Sequence, residues 1–275
     1  MAEPIRVLVF GKTGCGKTSM CNTLANLAPE DDGYQRVAAS AKGVTFECHT
    51  YKQFSYSNDK GKSIDVIITD TIGLHEHNQG TVPDKEAIKR LLEFLAESTK
   101  GYNLFIHVDE PRIMNTQKHN YDMFYEILGQ RKIPIILVVT KIDGDAEVTF
   151  QEWPKENKHY YIEFNYKEIV GACFARSPKP DLENLYKKDR EKSKKLVLQA
   201  IFEHGQGETV NVVPNMHTLV RTSINLWNKF LEFVGVEKNF IIWNEPLAQM
   251  LQEKWGISKQ EARERVNNMM NPSKK

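Results

Sequence analysis

The stretch VLVFGKTGCGKTSM, residues 7–20, limits what this chain can fold into more than any other. A short β-branched run, IRVLVF at 5–10, stops at a glycine, and the spacing Gly11-x-x-x-x-Gly16-Lys17-Thr18 follows. Such a run predicts a buried strand, and the residues from Lys17 to Leu27 predict a helix. Between them, glycines permit positive backbone angles and close approach. The amides of such a loop turn inward as a nest for an anion, and the helix N-terminus adds partial positive charge. In this pattern Lys17 supplies a mobile cation to the outer phosphates of a nucleotide, and Thr18 a hydroxyl for magnesium. The bland alternative is a glycine-bearing turn. The strand before it and the helix after it favour a phosphate cradle made by Gly11, Lys12, Thr13, Gly14, Cys15, Gly16, Lys17, Thr18 and Ser19.

Apolar runs then alternate with helical patterns. FECHTYKQFSY (46–56) reads as a more exposed strand, and IDVIIT (64–69), NLFIHVD (103–109), IPIILVVT (133–140) and IVGACFA (169–175) as buried ones. Residues 84–99 place Ile88, Leu91, Leu92 and Leu95 on one helical face. Residues 115–128 and 181–204 read as further helices. Strands alternating with helices imply crossovers and parallel pairing. The expected fold is therefore α/β: three layers with a mostly parallel central sheet. GQGETVNVVP (205–214) reads as a linker, which divides the chain into residues 1–205, a nucleotide-binding domain, and 206–275, a helical C-terminal extension. In that extension SKQE (258–261) is a capping-box pattern that opens a helix.

Composition narrows the class. Thirty-seven Lys+Arg against thirty-six Asp+Glu leave a net charge of +1, which gives no global pull toward nucleic acid or an anionic membrane. The basic run KKDREKSKK (187–195) reads as a solvated helix face, so no nucleic-acid partner is expected. Cys15, Cys21, Cys48 and Cys173 form no C-x-x-C pair, and the histidines His49, His107, His119, His159, His204 and His217 are scattered. No apolar run reaches the roughly 20 residues of a membrane span, and MAEPIRVLVF does not read as a signal peptide. A cytoplasmic protein is the expectation.

Two further motifs select the nucleotide. Asp70-Thr71-Ile72-Gly73 directly follows a strand, where a carboxylate is placed to hold magnesium through water and Gly73 offers an amide to a terminal phosphate. Thr140-Lys141-Ile142-Asp143 follows IPIILVV. Asp143 can accept two hydrogen bonds from the guanine ring nitrogen and its exocyclic amine, each worth roughly 1.5–3 kcal/mol. Adenine has no proton on that ring nitrogen. A site built this way discriminates on the order of 10⁴-fold. The stem of Lys141 covers the base plane.

GKTGCGKT, DTIG and TKID, in this order, resemble the P-loop GTPases of the TRAFAC class. The segment 101–143 is more specifically similar to the immune-associated nucleotide-binding GTPases, relatives of septins, and most to their uncharacterised fungal members. The resemblance covers about residues 5–200. It implies GTP/GDP and Mg²⁺ as cofactors, and a GTP-dependent homodimer or an effector protein as partner. It also implies a role for Thr45 as the switch threonine, binding magnesium when the terminal phosphate is present; Thr50 is its rival. Ala175, in ACFAR (172–176), falls where the family's last base-contacting loop lies, although the family's serine-alanine pair is not kept. The metal ligands expected are thus Thr18, Thr45 and Asp70, and the catalytic residues Lys17, Thr45 and Gly73.

Hydrolysis is harder to read. Many GTPases place a water-orienting glutamine where this chain has Leu74. His75 and His77 follow closely, and Arg112 is a candidate for stabilising charge at a dimer interface; solvated side chains are the plainer reading of all three. The leading expectation is a switch that hydrolyses GTP slowly. The rivals are a GTP-dependent scaffold with negligible turnover and an ATPase or nucleotide kinase using the same loop.

Overall fold

Alternate residues of the buried runs face opposite ways, and the chain folds around that alternation. The computed structural model describes residues 3–36, 47–73, 90–91, 94–95, 98, 100–113, 115–142, 149–177, 179–212, 252 and 258–270. Strand β1 (Ile5–Phe10) pairs in parallel with β4 (Ser63–Asp70), Val7 opposite Ile68, and with β5 (Leu104–Asp109), Val9 opposite Ile106. Outward from β5 lie β6 (Ile135–Val139) and β7 (Ile169–Gly171), both parallel. On the other edge β2 (His49–Thr50) and β3 (Phe54–Ser57) run antiparallel along β4. The sheet has seven strands in the order β2-β4-β1-β5-β6-β7, with β3 beside β4.

Leu8, Phe10, Phe105, Leu137 and Val139 face one core, packed with Leu91, Leu95, Phe124 and Trp153. Val7, Val9, Ile106, Ile136 and Val138 face the other. There they meet Met20, Cys21 and Leu24 of helix α1 (Lys17–Leu24) and Val197, Leu198 and Ile201 of α4 (Pro180–His204). This is the three-layer α/β arrangement expected from the sequence. The connection from β1 leads to β4 on one side, and the chain then returns to β5 on the other. The strand order thus reverses at β1, which opens a crevice at the strands' carboxyl ends.

Several elements depart from the sequence reading. Helix α1 stops at Leu24, not Leu27, because Asn26 turns left-handed (φ 58°). The Asn26 amide donates to Thr23 O and the Leu27 amide to Asn22 O, a pair of bonds that satisfies the last carbonyls. The exposed strand 46–56 is two short strands, interrupted where Tyr51 turns inward and its hydroxyl donates to Asn22 Oδ1 at 3.2 Å. The helix 115–128 is α2 (Asn115–Tyr121) running into a π-helical turn, Asp122–Leu128, closed by the Gly129 amide on Phe124 O. Strand 169–175 ends at Gly171. A short helix, α3 (Trp153–Asn157), was not anticipated.

Of helix 84–99, Leu91 and Leu95 are buried, whereas Ile88 and Leu92 lie outside the described residues. The stretch read as a linker docks on the domain: Val210 and Tyr102 exchange backbone hydrogen bonds of 2.9 and 3.0 Å, and Val212 is buried. In the C-terminal region, α5 (Lys259–Met270) begins with the Glu261 amide donating to Ser258 Oγ, the cap its sequence announced. Among the described residues no helix is long and apolar enough to cross a membrane.

The Phe10 ring stacks on Phe124 at 3.8 Å and on His107 at 4.7 Å, in the middle of the first core. Phe10→Ala is expected to lower stability by about 3–5 kcal/mol. Urea denaturation measures this, and a loss under about 1 kcal/mol would contradict the packing described.

Candidate functional site

Three loop ends meet in the crevice. The loop after β1 enters α1 through Gly16, which has φ 93° and serves as the helix N-cap. A side chain there is strained, so the glycine is needed for the turn. The Lys17 ammonium is buried and donates to Gly11 O at 3.1 Å and Lys12 O at 2.9 Å, so the loop wraps its own lysine. Gly73 lies against this loop: a Cβ on it would come 2.7 Å from Thr13 Cα and 2.9 Å from Thr13 N. Only a glycine can bring the end of the Asp70–Gly73 motif this close.

At the end of β4, Thr18 Oγ1 donates to Asp70 Oδ2 at 2.6 Å. Asp70 Oδ1 is buried with no hydrogen-bond partner among the described residues. Burial pushes the Asp70 carboxyl up to about 6, against the pull of Lys17 and the Thr18 hydroxyl. A hydroxyl beside a carboxylate with a bare, buried oxygen is the donor set that a hard divalent cation takes. The residues present therefore fit magnesium, with Thr18 and Asp70 as its holders.

At the end of β6, Thr140 Oγ1 donates to Cys15 O at 2.7 Å, which ties the base-motif loop to the phosphate loop. Lys141 takes a left-handed conformation (φ 59°) and donates from Nζ to Glu110 Oε1 at 2.6 Å. The other oxygen of the same carboxylate accepts from Lys12 Nζ at 2.6 Å. Burial raises the Glu110 carboxyl, but the two lysines outweigh it and hold the group below its ordinary range. Beside it, Asp109 is buried and is pushed up to about 6 by that burial. Cys15 is fully buried, and that burial raises its thiol to about 11.

After β7, Ala175 O accepts from Arg190 Nη1 at 2.6 Å, and Arg190 also pairs with the Glu183 carboxylate. Ser193 Oγ accepts the Cys173 amide at 2.8 Å, and Glu183 accepts the Ser177 amide at 2.8 Å. Helix α4 thus holds this loop from below. The run 187–195 is accordingly not a wholly solvated face: Arg190 and Ser193 are buried.

The structure brings Gly11 through Ser19, Asp70, Gly73, Thr140 and Lys141 to one crevice, and places Ala175 on a braced loop at the end of β7. Thr45, Leu74, His75, His77 and Asp143 lie outside the described residues. Thr50, the rival switch threonine, sits in β2 with its hydroxyl 3.1 Å from that of Thr69. Arg112 is exposed. Glu110, Asp109 and Arg190 were missed by sequence reasoning. For the first two a signal existed, because they occupy the carboxyl end of a predicted strand, where ligand-facing groups gather in such sheets.

A parallel sheet whose first strand feeds a glycine loop and helix, with an aspartate at the end of a neighbouring strand, defines a P-loop nucleotide-binding fold. Residues 6–141, just under half the chain, match the family model described as 50S ribosome-binding GTPase, so this part of the chain is similar to a P-loop GTPase domain.

Similar solved structures include a variant of Era from Aquifex aeolicus bound to GDP and AlF4⁻, at 18% identity and TM-score 0.44, covering 69% of this chain and 57% of that one. Era in complex with MgGDPNP and a segment of 16S ribosomal RNA matches at 16% identity and TM-score 0.47, covering 76% and 60%. A Roco2 RocCORdC structure from Methanosarcina barkeri bound to GDP matches at 16% identity and TM-score 0.42, covering 84% and 62%. This chain therefore spans less than two thirds of each of these proteins. No curated protein matches the sequence.

Asp109 supplies a pH test. Its folded pKa, about 6, lies above the ordinary 3.8, so between those values the folded chain holds more protons than the unfolded one. Stability through this group therefore falls as pH rises from about 4 to 6 and stays low above. Asp109→Asn, which retains an acceptor for the Glu110 amide, is expected to remove that slope. At pH 7.5 it should stabilise the nucleotide-free chain by up to about 2–3 kcal/mol. Thermal melts across pH check this; an unchanged slope in the variant would contradict the burial argument.

Proposed function

We propose that this chain is a guanine-nucleotide switch that hydrolyses GTP to GDP slowly, with residues 1–205 as the nucleotide-binding domain and 206–275 as a helical extension. The observation that carries the proposal is the meeting of three motifs: Thr18 on Asp70 beneath the phosphate loop, and Thr140 on the Cys15 carbonyl. The phosphate-loop amides and Lys17 bind the outer phosphates. Thr18 and Asp70 hold magnesium, which when bound neutralises phosphate charge. Thr140 fixes the distance between the base and phosphate loops. Lys141 covers the base plane, Asp143 accepts the guanine hydrogens, and the Ala175 amide meets the guanine oxygen. Thr45 and Gly73 sense the terminal phosphate, so that its loss releases the segments that carry them.

Catalysis on this reading is positioning and charge neutralisation, with Lys17 as the main agent of this chain. Leu74 in place of a water-orienting glutamine supports slow turnover, and a homodimer or an effector across the nucleotide face is the partner that would accelerate it. The finer kinship, with the immune-associated nucleotide-binding GTPases, rests on residues 101–143. A cytoplasmic location without a nucleic-acid partner completes the proposal. Leu74 also favours a second reading, a scaffold that assembles on GTP with negligible hydrolysis.

Calorimetry with magnesium present is expected to detect GDP and GTP, with ATP at least 100-fold weaker, and Lys17→Ala to lose nucleotide affinity by at least 100-fold. Tighter ATP binding, or a variant like the parent, would overturn the proposal. Single-turnover phosphate release separates the switch from the scaffold: none at any protein concentration leaves only the latter.

A further inference from the structure

One carboxylate in this site serves two loops that are far apart in sequence. Glu110 stands just past the end of β5, between the phosphate loop and the base loop. Its Oε2 accepts from Lys12 Nζ at 2.6 Å and its Oε1 from Lys141 Nζ at 2.6 Å. Lys12 also lies 3.7 Å from Asp109 Oδ1. The Lys12 side chain is 18% exposed and that of Glu110 28%, so this half of the bridge is partly shielded, whereas Lys141 is 56% exposed.

Lysine stems are flexible, and a stem that covers a base plane must be held there to be useful. Lys141 has few ways to be held. Its backbone is already committed to a left-handed turn, and among the described residues its head bonds to Glu110. Lys12 presents the opposite problem. Left unpaired at the start of a phosphate loop, its charge would add to that of Lys17 at the mouth of the site. Pairing with Glu110 and Asp109 turns it away.

On this basis we propose that Glu110 is a positioning residue for the nucleotide. It holds Lys141 in place over the base and draws Lys12 off the phosphates, so that retention depends on the guanine end and not on bare polyphosphate attraction. The proposal rests on the guanine-nucleotide reading of Thr140–Asp143. It sets Glu110 as the residue that makes the lifetime of bound GDP depend on the base.

The test uses the full chain with magnesium and a fluorescent GDP, released by stopped-flow, beside the affinity for inorganic pyrophosphate. Glu110→Gln is expected to speed GDP release about tenfold while pyrophosphate binds as well as before or more tightly. In a Lys141→Met background the same change should alter GDP release by less than about twofold, because the held group is gone. Glu110→Asp keeps the charge but is too short to reach both ammoniums; its release rate should fall between parent and Gln, and it carries the test should the Gln variant lose its fold in a thermal melt.

GDP release within twofold of the parent in both Glu110 variants overturns the role. So does parallel weakening of GDP and pyrophosphate, which marks a merely structural residue. A parent chain that binds no GDP overturns the guanine reading itself, a result distinguishable from both.

Discussion

Parallel pairing of β1 with β4 on one side and β5 on the other is the constraint on which everything else depends. With Val9 opposite both Asp70 and Ile106, the ends of three strands are brought level. The loops that follow β1 and β4, and the residues that end β5, then have no choice but to share one crevice. Chain connectivity alone would leave Thr18 and Asp70 far apart; sheet register puts their oxygens 2.6 Å apart. The β6 loop joins through β5 in the same way, since the Thr140 amide donates to Asp109 O at 2.8 Å before its hydroxyl reaches Cys15.

That crevice concentrates charge in a poorly solvated place. Lys12, Lys17 and Lys141 supply the cations, and Asp70, Asp109 and Glu110 the anions. Burial lifts two of the acids, Asp70 and Asp109, toward neutral pH, while the doubly paired Glu110 stays low. Desolvation is the deciding influence for the first two, and hydrogen bonding to ammonium for the third. The site is thus strained electrostatically where it would meet a cation, and relaxed where two loops are bridged.

Much of this was legible in the sequence, for a physical reason in each case. Runs such as IRVLVF and IPIILVV announce fully buried strands because both faces of a parallel sheet are covered. Ser258 and Glu261 announce a helix start because orphan amides need an acceptor. What escaped detection depends on tertiary contacts. Nothing local in FECHTYKQFSY says that Tyr51 will turn inward toward Asn22 and break the strand. Nothing in KKDREKSKK says that Arg190 will be buried beneath the loop at Ala175. The same holds for Glu110, whose partners lie 98 residues before it and 31 after it. Residues in GKTGCGKT were readable because spacing alone fixes their geometry; Glu110 acquires its lysines, and Arg190 the Ala175 carbonyl, only once the fold has formed.

The Val210–Tyr102 exchange fastens the stretch after α4 to the sheet. Tyr102 precedes β5, so Val210 and the buried Val212 lie toward the amino-terminal pole of the sheet. Six strand residues at about 3.3 Å each separate that pole from the crevice by roughly 20 Å. A contact fastened at that pole meets the nucleotide end of the molecule only through the length of the strands, so it can steady the sheet without touching the loops.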